Sequence, residues 1–393
     1  MRKQLSLPLY YLVFAAGIGL MLRWNLVSPL DGVNYRYWLH AHSHVMFLGW
    51  VFNFFNLVFL LNAFGDEWRR PYRLLFLLNQ FLIVGMLVFF PMQGYGSITI
   101  PLSVAHTVVS AIFCIKFILN TRHQRDKLSR RFAVWSLILF LISSLGPFAL
   151  GPIMMQGLGQ SKWYYFAIYF YLHFQYNGVF LFGVLSLVSR WCEDRGLKKA
   201  NDALKKAGGF LFVASFPTYA LSLLWTDVPV LFNWTGFFGA ALQLVALAIL
   251  LRHVKDNPAL PGVQTKIKVL ASVVALSFLL KLLLQTLSAF PAIAELAYVY
   301  NYYVIAYLHL VLIGIITLSM LIWYIEQGML SVSLIWILLL LTGFILSELV
   351  MVLVPSIQLL ARYSAPILFS VSILMFVGFA AFLISFIRKG RKY

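Results

Sequence analysis

Apolar residues do not alternate along this chain. They come in long unbroken runs, with the polar positions gathered into short intervals between them. About twelve such runs can be separated, each of roughly 18–27 residues. That is long enough to cross a hydrocarbon core of about 30 Å as a helix rising about 1.5 Å per residue. They lie near 6–24, 38–64, 74–92, 100–120, 132–155, 163–189, 208–226, 229–251, 267–290, 302–325, 332–354 and 363–387. No stretch carries the two-residue period of a strand, and no low-complexity linker interrupts the series. The expectation is an all-α polytopic membrane protein, one integral domain over 1–393.

Composition supports this, because 62% of the 393 residues are hydrophobic and only 11% are charged, a balance that excludes a water-soluble globular domain. The net charge of +18 looks at first like a nucleic-acid footprint, but its placement argues otherwise. Most of the 30 Lys and Arg fall at the N-terminus, in 65–73, 121–131, 190–206 and 252–268, and in the tail from Arg388. In a twelve-span chain all of these lie on one side, so both termini are expected in the cytoplasm, the membrane being a bacterial inner membrane. The run after the first three residues is too long for a signal peptide and is read as the first span. Cys114 and Cys192 fall in a span and a cytoplasmic loop, which gives no structural disulfide.

Ionisable groups inside the spans are the informative positions. The stretch "HAHSHVMFLGW" sets His40, His42 and His44 at the start of the second span, and His173 and His309 occupy similar depths in the sixth and tenth. These three spans run in the same direction. His44, His173 and His309 are each followed five residues later by a glycine, Gly49, Gly178 and Gly314, so the chain repeats in thirds, roughly 1–120, 121–251 and 252–393. On a helix His42 and His44 point about 200° apart, whereas His40 and His44 share a face. His106, Lys281 and Glu348 lie in other spans; each is read either as an interhelical polar contact or as part of a proton path or propionate-side site. Lys116 snorkels, His123 and His253 sit in basic loops, and the aromatic clusters at 34–38, 162–165 and 298–303 anchor helix ends at the interface.

The run "YYVIAYLHLVL" (302–312) resembles the tenth-helix signature of haem-copper oxidase subunit I, in which a similar Tyr-Tyr-Val-Val-Ala run precedes a His-x-His pair. In that pattern the first histidine binds the high-spin haem and the second the low-spin haem. Tyr307 stands at the first position here and His309 at the second. The family takes its other low-spin ligand from a histidine early in the second helix, which places His42 in that role; the internal repeat favours His44 instead. The second-span stretch "HAHSHVMFLGW" is also similar to a His-Ala-His-x-Met motif of NnrS-type haem membrane proteins. "ARYSAP" (361–366), between the eleventh and twelfth spans, is similar to the family's Arg-Arg-Tyr stretch that holds haem propionates, and Arg362 carries that role over.

The resemblance implies a pseudo-threefold bundle of twelve helices binding one or two haems, of b type, with His42 and His309 as axial ligands of a low-spin haem. Copper does not carry over, because the family draws two of its three copper-binding imidazoles from the seventh helix and 208–226 contains no histidine. His173 is the remaining member of that set, with Tyr176 three residues on. If a second pocket still holds haem, Tyr307, His173, His44 or His106 supplies its ligand; if it is empty, His173 and Tyr307 are expected to serve as internal hydrogen-bond partners. The implied function is electron transfer or the binding of a small gas such as nitric oxide or oxygen, with a quinol or cytochrome as electron donor. Two rivals stand beside it: an oxygen or nitric oxide reductase with copper held by His173 together with His44 or His106, and a twelve-helix transporter with its site between two repeated halves.

Overall fold

The computed structural model describes residues 2–226, 228–256 and 262–390. Among these the chain is 86% helical with no strand, and ten helices are long and apolar enough to cross a membrane. This is a polytopic, integral membrane architecture. The last three residues of the basic tail, and 257–261 of the basic 252–268 segment, lie outside the described residues.

In chain order the elements are α1 (Arg2–Val27), α2 (Tyr35–His44), π1 (Val45–Phe52), α3 (Asn53–Phe64), α4 (Arg69–Gln93), α5 (Thr99–Asn120), α6 (Leu128–Ser143), α7 (Leu145–Met155), α8 (Lys162–His173), π2 (Phe174–Phe180), α9 (Leu181–Asp194) and α10 (Lys198–Ala214). They continue with α11 (Leu231–Asp256), α12 (Thr265–Leu287), α13 (Pro291–Val299), α14 (Asn301–His309), π3 (Leu310–Thr317), α15 (Leu318–Glu326), α16 (Leu334–Leu353) and α17 (Gln358–Gly390). The chain forms two compact units. Unit 1 holds Met1–Phe113, Thr265–Ala271 and Thr317–Tyr393; unit 2 holds Cys114–Gln264 and Ser272–Ile316.

Several expected spans differ in detail, 132–155 being divided at Ser144 into α6 and α7. The 208–226 run is not one helix: α10 ends at Ala214, and the chain tightens into a 3₁₀ stretch over Pro217–Leu223. Pro217 has no N–H to continue the ladder, which is why the helix stops there. The last span starts earlier than its apolar run, so Arg362 sits inside α17 and not in a loop between helices. Hydropathy reports where apolar residues begin, whereas a helix extends through polar residues until its backbone is capped.

Within unit 1 the helices pack through small residues, as lipid-embedded helices do when close backbone approach replaces the hydrophobic drive. A Cβ on Gly343 would stand 2.7 Å from the Val371 carbonyl oxygen, and one on Gly378 would stand 2.6 Å from the Leu340 Cβ. The α16–α17 contact is therefore backbone against backbone, with nothing flexible to move aside. Gly378→Val is expected to destabilise this pair by about 1–3 kcal/mol, the usual overpacking range, read as a lower midpoint in detergent thermal unfolding. Polar groups tie the long-range contacts of the same unit: Trp50 Nε1 donates to Thr317 Oγ1 at 2.9 Å, and the Tyr324 hydroxyl donates to the Leu5 carbonyl at 2.7 Å.

Candidate functional site

The histidines of the repeat share a backbone feature that the sequence did not disclose. Each is the last α-helical residue before a π-helical turn: His44 before π1, His173 before π2 and His309 before π3. The glycine five residues on falls inside each π segment. π turns are uncommon and gather at functional sites, because they re-aim side chains and loosen the carbonyl ladder. In unit 2 the Ser136 hydroxyl donates to the Val179 carbonyl at 2.6 Å, meeting a carbonyl of π2.

In unit 1 the polar triplet at the start of the second span divides into two directions. Asn34 caps α2 by accepting from the Tyr37 N–H at 3.3 Å, which marks where that helix begins. His42 turns toward α1, where its Nδ1–H donates to the Ala15 carbonyl at 2.8 Å. A carbonyl only accepts, so Nδ1 carries the proton and Nε2 keeps its lone pair. Gly19 makes room for this ring, since a Cβ there would stand 3.0 Å from His42 Cε1. One turn further along α1, Arg23 acts electrostatically on both His42 and Glu348, and its Nη2 donates to Ser347 Oγ at 3.4 Å. The sequence reading missed Arg23 because an arginine near a helix end reads as an interface anchor; its i+4 spacing from Gly19 was the available signal.

His44 faces the other way. Its Nδ1–H donates to the His40 carbonyl at 2.9 Å, its Nε2 lies 3.4 Å from the Tyr95 hydroxyl, and its ring centre is 4.3 Å from that of Phe90. His106 on α5 is 1% exposed, packs edge-on against Phe52 at 6.3 Å between ring centres, and its Nε2 has no hydrogen-bond partner among the described residues.

Unit 2 holds His173, Tyr307 and His309 among the expected site residues. Both His173 ring nitrogens are engaged: Nε2–H donates to the Ser215 carbonyl at 2.8 Å, and Nδ1 accepts from Asn177 Nδ2 at 3.2 Å. The Ser215 carbonyl follows from the early end of α10, so the proline that shortens the expected seventh span also creates the acceptor for His173. Tyr307 Oη is buried without a partner, its ring 6.1 Å from that of Tyr176, so His173 and Tyr307 are not hydrogen-bonded to each other. Lys281 is 1% exposed, its Nζ is unpartnered, and its charge reaches His173. His309 closes α14 in unit 2, half-buried. Arg362, in unit 1, is exposed on α17, its guanidinium 5.6 Å over the Tyr363 ring.

His173→Leu is expected to lower stability by about 1–3 kcal/mol, because it leaves the Ser215 carbonyl and the Asn177 amide buried and unpaired. A depressed thermal midpoint in detergent with unchanged helical content would show it. Among the described residues no group of three or more His, Cys, Asp or Glu side chains is placed to hold a metal ion. No protein-family model matches this sequence, and no curated protein matches it.

Proposed function

We propose that this chain is a membrane haem protein that carries electrons or binds a small gas, built on the twelve-helix, pseudo-threefold plan that its tenth-span motif resembles. The observation that carries the reading is the setting of His42. Proteins fix a metal-binding imidazole by giving its other ring N–H to a carbonyl or carboxylate. His42 has that arrangement, with Nδ1–H on the Ala15 carbonyl, Nε2 left as the ligating atom and Gly19 clearing space for the ring. The donor set fits a low-spin haem of b type: a neutral imidazole from His42 and, on the sequence motif alone, a second from His309. When bound, such a haem would supply a one-electron carrier, and gas binding would fall to a second haem with an open position.

The chain's own contribution is orientation and charge. Ala15 and Gly19 hold the His42 ring in one rotation and one tautomer. Arg23 brings a positive charge to a region of low dielectric, where a haem propionate or a partner carboxylate such as Glu348 would meet it. The twelve-crossing count has support in how the ten apolar helices divide. The longest of them, Tyr35–Gln93, is broken by Gly65 at φ 56° into two helices, and α10 with its 3₁₀ extension supplies a further apolar segment. Cytoplasmic termini in a bacterial inner membrane, one or two haems, and a quinol or cytochrome donor complete the proposal; copper in the arrangement of the resembled family does not belong to it.

A reduced-minus-oxidised spectrum of the purified chain tests the reading. Sharp low-spin bands are expected. A colourless, folded preparation from haem-replete cells removes the proposal.

A further inference from the structure

The stretch His40 to His44 carries more imidazoles than one axial position uses, and the fold separates them. His42 faces α1. His40 and His44, one turn apart, share the opposite side of α2, and both rings flank Tyr95, with centres 4.7 Å and 5.8 Å from its own. The His44 Nδ1–H is committed to the His40 carbonyl, which leaves the Nε2 lone pair directed at the Tyr95 hydroxyl, 3.4 Å away. Histidines at i and i+4 on one helix face are a recurrent metal chelate, and a backbone carbonyl on the second ring nitrogen is the usual device that orients the ligating one.

Tyr95 is carried on a fixed turn, although its own side chain is 54% exposed. Gly94, at φ 60°, turns the chain at the end of α4, a conformation that a side chain there would strain. The Thr99 hydroxyl donates to the Gly94 carbonyl at 2.6 Å and accepts from the Gly96 N–H at 2.8 Å, so the turn that presents Tyr95 is tied on both sides. Phe90 packs on His44 and meets the Tyr95 ring edge-on at 5.1 Å. The result is two imidazoles and a phenol gathered by a fixed turn at the end of a membrane helix, with His106 within electrostatic reach of His44.

We propose that His40, His44 and Tyr95 form a metal site separate from the haem ligand His42, and that it takes one cuprous ion. The class of ion follows from charge. The cluster contains no carboxylate, and the charge that acts on His40 is that of the Arg36 guanidinium one turn earlier on α2. A divalent cation there would keep its charge uncompensated beside a membrane. A monovalent d¹⁰ ion brings one charge, suits imidazole, and is satisfied by two nitrogen ligands with the Tyr95 hydroxyl as a weak third. The inference rests on the haem reading only in leaving His42 to the haem.

The test uses the full purified chain, stripped of copper and titrated anaerobically with cuprous ion against the chromophoric chelator bicinchoninate. One ion per chain is expected, with nitrogen and oxygen but no sulfur neighbours in X-ray absorption. His44→Ala and His40→Ala should each abolish stoichiometric uptake, Tyr95→Phe should weaken it by about tenfold, and His44→Gln, which keeps the side-chain bulk, should behave as His44→Ala. The haem bands should survive in all four variants, whereas His42→Ala should lose haem and keep copper. Copper uptake that persists in the His40→Ala, His44→Ala double variant overturns the site. Zinc bound one per chain in preference to cuprous ion overturns the ion class. Loss of haem together with copper in His44→Ala overturns the division of the motif into two sites, and a chain that binds copper but never haem removes the haem reading while leaving this one standing.

Discussion

His42→Ala is expected to remove the low-spin haem bands completely, and His309→Ala to do the same, while His123→Ala and His253→Ala leave them unchanged. The effect is all-or-none because a low-spin iron needs two strong ligands, and a membrane interior has no water to replace a missing imidazole. The buried carbonyl of Ala15 would also lose its donor. The two control histidines lie in a 3₁₀ turn at Arg122–Gln124 and in the last turn of α11. Gly19→Val provides a graded arm: its Cβ would press on His42 Cε1, so the ring must shift against the Ala15 carbonyl. That variant should fold, with haem occupancy reduced and the bands broadened. Haem bands that persist in His42→Ala but vanish in His44→Ala would transfer the ligand to the histidine favoured by the internal repeat.

Much of the fold could be read from the chain because hydrocarbon imposes a simple rule. Each span must bury all its backbone polar groups within itself, so long apolar runs become helices. The expected span at 332–354 corresponds to α16 at Leu334–Leu353 with little change, because its ends coincide with the ends of the apolar run. The 208–226 run failed as a single helix for a reason visible in hindsight, Pro217, but average hydropathy gives one proline little weight. The π turns after His44, His173 and His309 were not legible at all. They depend on which carbonyls find partners across the bundle, such as Val179 with Ser136, and that information is tertiary. The repeat of histidine and glycine five residues apart was nonetheless a trace of them. Opposite orientations for His42 and His44 followed from helical geometry alone. Which neighbour each would meet did not: Ala15 is a small apolar residue like many others in the chain, and only packing shows that its carbonyl accepts the His42 Nδ1–H.

Tyr307→His is expected to raise the amount of gas-reactive haem without producing turnover. Carbon monoxide and nitric oxide bind ferrous iron only where an axial position is open, so a spectral change on adding either gas reports a second pocket and leaves a bis-histidine haem silent. Tyr307 stands where the resembled family has its high-spin ligand, and its hydroxyl is buried without a partner, the setting of a neutral phenol and a poor iron ligand. The unmodified chain should therefore show little or no gas-induced change. An imidazole at 307 supplies the missing donor type, and the change should then grow. Oxygen consumption with quinol or reduced cytochrome should stay absent in both forms, because four-electron reduction calls for a second metal beside the haem. The nitrogens of His173 are already held by Ser215 and Asn177, and 208–226 offers no further imidazole. Rapid, cyanide-sensitive reduction of oxygen or nitric oxide by the unmodified chain would show that this pocket is a catalytic centre after all, with ligands drawn from elsewhere in the bundle.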